Sequence, residues 1–154
     1  MQTFLPYEDF AKSAQVLDRA RLGKQRVECL QILNALVGQS SGWTNHPATI
    51  MWTDREYQLA RYGLAMCHEW AKRGYENTKT MPALQEYAFY FRDHGYDKRM
   101  PWWMGMPKFH LRHRMVLVWK NPDYYLPLFD DIQKAPTQKP PYYWPKAQPT
   151  RPSK

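Results

Sequence analysis

Cysteine is nearly missing from this chain: Cys29 and Cys67 are the only two. Both fall inside helical patterns and they form no CxxC pair, which excludes a disulfide scaffold and predicts reduced core residues of a cytoplasmic protein. No run of 18 apolar residues occurs, so no membrane-spanning helix is expected, and "MQTFLPYEDF" lacks the basic start and apolar run of an export signal. No segment alternates like a strand and no internal repeat is visible. A P-loop, GxGxxG, HExxH, a Ser-His-Asp cue and a catalytic cysteine setting are all missing, so nucleotide-fuelled and acyl-transfer chemistry have no support. Acid is scarce as well: 14 Asp and Glu face 22 Lys and Arg, a net charge of +8. That balance favours an anionic partner, nucleic acid above all.

What remains is a chain of 154 residues, 44% hydrophobic and 16% aromatic. Such a length builds one core without help from metal or disulfides, and so many rings in so small a protein leave some of them at the surface. Asp9 and Asp18 are placed to cap helices. From Leu22 through Cys29, Leu30, Leu33, Leu36 and Val37 apolar residues recur at helical spacing until Gly38. In "SSGWTNHP", a loop, Asn45 is placed to cap a short helix running to Ile50 or Trp52. Asp54 then opens a long helix to about Arg73, with Tyr57, Ala60, Leu64, Cys67 and Ala71 on one face and Gly74 as its stop. "MPALQEYAFYFRDHG" and "MPKFHLRHRMVLVWK" each carry proline early and read as further helices, and "NPDYYLPLF" supplies one or two turns. The fold class expected is all-α: a compact single-domain helical bundle over residues 1–132.

From residue 133 the composition changes. "QKAPTQKPPYYWPKAQPTRPSK" holds six prolines and five cations, Lys134, Lys139, Lys146, Arg151 and Lys154, without an acid. Such a segment cannot bury enough surface to fold alone, so residues 133–154 are expected to form an extended or disordered tail outside the core.

Four cations, Arg19, Arg21, Lys24 and Arg26, lie in eight residues before a single acid, Glu28. Projected at about 100° per residue, Leu22, Cys29, Leu33 and Leu36 share one side of the helix, and Arg21, Lys24, Gln25, Glu28 and Gln31 the other. Arg26 falls within about 40° of the apolar stripe, where a guanidinium needs an anionic partner or a route to solvent. Glu28 has two readings: an exposed pair with Lys24 four residues earlier, or a carboxylate beside a phosphate backbone held by the cations, free to act on a sugar or base. In "KFHLRHRMVLVWK", His110, His113 and Arg114 sit close together, with Lys120 at the end. No third ligand stands at a telling spacing, so phosphate contact is favoured over a metal site. Trp102 and Trp103, in a loop between basic segments, are core residues or offer rings to stack on bases.

With Glu28, "GWTNHP" and "CHEWAKRGY" in view, residues 1–129 resemble the pyrimidine dimer DNA glycosylases of the endonuclease V type found in phages and bacteria. Leu17, Asp18, Glu28, Gly42, Trp43, Asn45, His46 and Pro47 match that family's motif order in its bacterial branch. Lys72, Arg73, Gly74 and Tyr75 match the end of its long helix. "PWW", "FHLRHR" and "WKNPDYY" look like its C-terminal elements.

The resemblance implies a helical bundle that binds double-stranded DNA at an ultraviolet lesion, flips a base out and attacks the sugar with the chain's own N-terminal amine. An α-amine, titrating near 7.7 to 8.0, is partly neutral where lysine is not. Glu28 matches the glutamate that assists glycosidic cleavage and β-elimination. Phage members carry threonine second and lose the initiator methionine; the large Gln2 blocks that removal, so Met1 carries the amine. Where the family has a basic residue just before the glutamate this chain has Val27, so Arg26 or Lys24 must supply the charge. The expected site is thus Met1 and Glu28 for catalysis, with Arg19, Arg21, Lys24, Arg26, His46, Trp102, Trp103, His110, His113, Arg114 and Lys120 on DNA. No metal or other cofactor, no membrane and no protein partner is implied, and a monomer is expected. A non-catalytic basic DNA-binding protein, or a glycosylase for another modified base, is the alternative.

Overall fold

A computed structural model describes residues 1–147; Arg151 and Lys154 of the basic tail lie outside the described residues. Among those described there are seven α-helices and no strand: α1 (Phe10–Val16), α2 (Arg19–Leu36), α3 (Pro47–Ile50), α4 (Glu56–Lys72), α5 (Thr80–Asp93), α6 (Pro107–Lys120) and α7 (Pro122–Tyr125), the last continued by a 3₁₀ turn at Leu126–Leu128. The all-α bundle is the fold that helical periodicity predicts. No helix among the described residues is long and apolar enough to cross a membrane.

Helix starts follow from capping chemistry, with two corrections. The Asp9 carboxylate accepts the Lys12 N–H at 2.7 Å and opens α1. Asp18 stands at the N-cap of α2 but makes no capping bond, because its carboxylate is taken by Arg21 and the Tyr125 hydroxyl. In place of Asn45, His46 caps α3: its Nδ1 accepts the Ala48 N–H at 3.0 Å. Asp54 does not open α4 either. It lies one residue outside the N-cap, Arg55, in left-handed backbone with φ 63°. Gly74, at φ +94°, ends α4 in a conformation that costs a residue with a side chain more than it costs glycine.

The core forms where α2 crosses α4, with α1 and α5 packed on α4. Leu22, Cys29, Ile32 and Leu33 of α2 meet Leu59, Tyr62, Met66 and Cys67 of α4, all fully buried. The crossing is close at Gly63, where a Cβ would stand 2.6 Å from Cys29 Sγ and 2.9 Å from Leu84 Cδ1. Both cysteines are free thiols in this interface. Trp52, Trp103 and Phe109 extend the core toward α6 with ring contacts of 5.0 and 4.6 Å between centroids.

Two extended segments lie on this bundle. The first is the N-terminal arm, residues 2–6, buried along its length. The second is the tail. It forms no helix, as its prolines dictate, yet it is not a separate appendage. Pro140 and Pro145 are buried, and Tyr142, Tyr143 and Trp144 are half-buried against the core. Tyr142 meets Phe4 and His113 edge to face at 6.2 and 5.9 Å, and Lys108 Nζ lies 4.3 Å from the Tyr143 ring. The segment lacks apolar periodicity of its own and instead lays its rings into a surface that other elements build.

Candidate active site

A buried chain without secondary structure must find partners for every backbone N–H and C=O. The arm finds them in side chains from three helices, α2, α4 and α6, and from the turn after α3. Phe4 N–H donates to Gln25 Oε1 at 2.7 Å, and Phe4 O lies 2.8 Å from the Tyr62 hydroxyl. Leu5 is held at both ends: its N–H donates to His113 Nδ1 at 2.9 Å and its carbonyl lies 2.8 Å from His110 Nδ1. Pro6 O accepts from Arg114 Nη1 at 2.7 Å, and Thr3 Oγ1 from the Trp52 indole at 3.0 Å. His110 Nε2 accepts the Gly105 N–H at 2.9 Å, so its Nδ1 is the protonated nitrogen that donates to Leu5. His113 must be neutral to accept from Leu5, and burial presses its pKa down to about 3, with His110 beside it adding to the effect. His110 is lowered too, first by burial.

This pinning delivers the chain's first residues to Glu28. Gln2 N–H lies 3.4 Å from Glu28 Oε2, which also accepts from Gln25 Nε2 at 3.1 Å. Around them opens a cleft of about 260 Å³ lined by Met1, Gln2, Arg21, Lys24, Glu28, Lys120, Lys139 and Tyr142, among others. Four of these side chains are cations of one small space. Lys120 records the crowding: burial lowers its pKa first, then Lys139, Arg21 and Lys24, while Glu28 acts in the opposite sense. Arg21 is partly offset by its ion pair with Asp18 at 2.9 Å. Tyr142 is pushed up to about 12 by burial and then by the charge of Glu28, so it stands there as a neutral phenol. His46 is lowered by burial first and then by the N-terminal amine, while Glu28 acts in the opposite sense. On the other flank of α2 a groove of about 890 Å³ shares Lys24 and Glu28 with this cleft and adds Val27, Trp70 and Tyr124.

Among the expected site residues, Met1, Glu28, Arg21, Lys24 and Lys120 therefore come together, with His46 at the edge. Arg19 is exposed on the groove, its guanidinium 5.1 Å from the Tyr75 ring. Several expectations are corrected. Arg26 turns away from the cleft, 4.4 Å above the Trp70 ring and bonded to Asn77 Oδ1 at 2.7 Å, so its partners are a neutral amide and a π face. Of the two cations that could offset Val27, Lys24 is the one that lines the cleft. Trp103 is fully buried, with its indole on Met51 O at 3.0 Å, and offers no face to DNA. His110 and His113 are buried arm clamps. Arg114 is held by Asp131 at 2.7 Å and by Pro6, which makes it an arm clamp too. Trp102 is exposed, and its indole donates to Lys146 O at 3.1 Å.

Sequence reasoning missed Gln25 and Tyr62, which hold the arm, and Lys139 and Tyr142, which close the cleft. A glutamine on a helix gives no sign of the backbone it will hold. "KPPYYW", with a cation beside paired rings, was the one legible signal. Among the described residues no group of three or more His, Cys, Asp and Glu is arranged to hold a metal ion.

No curated protein and no solved structure matches the chain. The family model described as pyrimidine dimer DNA glycosylase matches residues 1–83, a span that carries the arm, the cation cluster, Glu28, His46 and α4. The chain belongs to the pyrimidine dimer DNA glycosylase family.

Proposed function

We propose that the protein is a DNA glycosylase and AP lyase that acts on pyrimidine-dimer and abasic duplex DNA through the Met1 amine and Glu28. The observation that carries this reading is the buried arm, which spends a set of polar side chains on bringing the chain's first residues to one carboxylate.

In the mechanism, the amine lone pair attacks C1′ of the damaged nucleotide. The C1′–N bond breaks and the base departs with that electron pair and a proton. The lone pair left on the bonded nitrogen then opens the sugar, breaking C1′–O4′ while O4′ takes up a proton, and the resulting iminium draws electrons from C2′; loss of the C2′ proton expels the 3′ phosphate by β-elimination, and water releases the protein. Glu28 stabilises the cationic sugar in the first stage and handles the proton in the second. Arg21, Lys24, Lys120 and Lys139 hold the phosphates on either side, which answers the placement of one acid at the rim of so much positive charge.

Borohydride reduction tests the reading directly. It should convert the imine on abasic or irradiated duplex into a covalent protein–DNA adduct, with the cross-link on Met1; an adduct-free reaction would reduce the protein to a binder of DNA. The electrostatic assignment has its own measure. Lys24→Ala and Lys120→Ala should each flatten the log–log salt dependence of duplex binding by about 0.9 for every phosphate that the variant leaves unneutralised. Arg26→Ala should leave that slope unchanged, since its guanidinium is committed to Trp70 and Asn77. Equal slopes in all three variants would remove the lysines from the interface.

A further inference from the structure

A base taken out of the stack leaves a gap, and a duplex keeps its shape only if something flat and apolar fills that gap. The filler has to be an exposed ring on a projecting segment, braced from behind and next to the cleft where the nucleotide arrives. Several large aromatic side chains are exposed, and most fail one of these conditions. Phe89 and Tyr90 belong to α5, whose groove with α2 is lined by Leu30, Asn34 and Val37, on the side of α2 turned away from Glu28. Tyr90 is further covered by His94, stacked at 4.0 Å. The Trp102 indole is tied to Lys146 O.

Tyr124 lines the Glu28 groove but lies on the short helix α7 with its ring against Tyr125 at 4.8 Å, whereas Trp43 is exposed on a loop and linked to the cleft wall through other rings. It stands 41% exposed in the loop between α2 and α3. Behind it the rings form a continuous buttress: Trp43 meets His46 edge to face at 5.6 Å, His46 meets Trp144 at 5.8 Å, and Trp144 meets Tyr142 in the wall of the Glu28 cleft at 5.2 Å. His46 is itself held by capping α3, its Nδ1 accepting the Ala48 N–H.

We propose that Trp43 is a wedge for the DNA stack, entering the space vacated at the lesion while the nucleotide occupies the Glu28 cleft. The proposal rests on the glycosylase reading and adds a residue that recognises the lesion to those that react with it. Its ligand is the exposed face of a base flanking an unstacked position, which an indole meets irrespective of sequence.

The test uses the full chain and duplexes that contain one tetrahydrofuran abasic analogue. That analogue has no aldehyde and forms no imine, so it reports recognition alone; failure of borohydride trapping on true abasic DNA would overturn the catalytic reading without touching this result. The ratio of undamaged to tetrahydrofuran-duplex dissociation constants should fall about tenfold or more in Trp43→Ala. It should recover in large part in Trp43→Phe, with affinity for undamaged duplex and melting temperature unchanged in both. A 5-iodouracil beside the analogue should photocross-link to the Trp43 peptide of the unaltered protein. An unchanged ratio in Trp43→Ala, an equal loss on undamaged duplex, or a cross-link that maps elsewhere would overturn the wedge.

Discussion

Glu28→Gln is expected to bind abasic duplex within about threefold of the unaltered protein and to cut it at least a hundredfold more slowly, the scale of a missing general acid–base group. The fold should survive because the introduced amide still presents an oxygen to the donors, Gln2 N–H and Gln25 Nε2, that meet Glu28 Oε2. What disappears is the negative charge opposite the cationic sugar and the acceptor for the C2′ proton. The two stages of the reaction should separate. On preformed abasic DNA the amine still condenses with the aldehyde, so borohydride should trap an adduct even as elimination stalls. Cleavage within about threefold of the unaltered rate would be a barrier change well under 1 kcal/mol and would remove Glu28 from the chemistry.

Deleting residues 134–154 should cost both stability and cleavage. Composition alone argues that such a tail can be removed with only a loss of non-specific binding. The structure reverses that expectation, because the deletion takes Lys139 and Tyr142 out of the cleft and uncovers Phe4 and His113, on which the arm depends. The melting temperature should fall by several degrees, and abasic-site cleavage by tenfold or more. Tyr142→Ala in the full chain separates the two effects: it empties one wall of the cleft while leaving Tyr143, Trp144 and Pro145 in place. A truncated protein that melts and cuts like the full chain would show that the tail contributes neither packing nor site.

The parts of this molecule that repeat were the legible ones. α2 and α4 bury apolar residues at helical spacing, and Gly74 and Pro107 mark ends that backbone chemistry requires. Glu28 was legible as an anomaly of charge. The arm and the tail were not, because their conformations come from surfaces that residues far along the chain create. Nothing near Leu5 announces that His113 will receive its N–H. Arg26 shows the limit of a helical wheel: the projection placed it near the apolar stripe and asked for an anionic partner or a route to solvent, and its guanidinium meets an amide and an indole instead. Gln25 shows the opposite error, a polar residue assigned to the outer side that is buried because the arm needs its oxygen.

The clamp on Leu5 joins the first residues of the chain to a helix 108 positions later, and the Asp18 N–H is likewise held by Tyr125. Contacts this distant in sequence form late, since a long loop must close before they contribute. During synthesis the amine leaves the ribosome first, yet the histidines that seat it leave only after α6 has been made. Until α6 has been made the first residues lack this clamp, and the arm is seated beside Glu28 only as the fold closes.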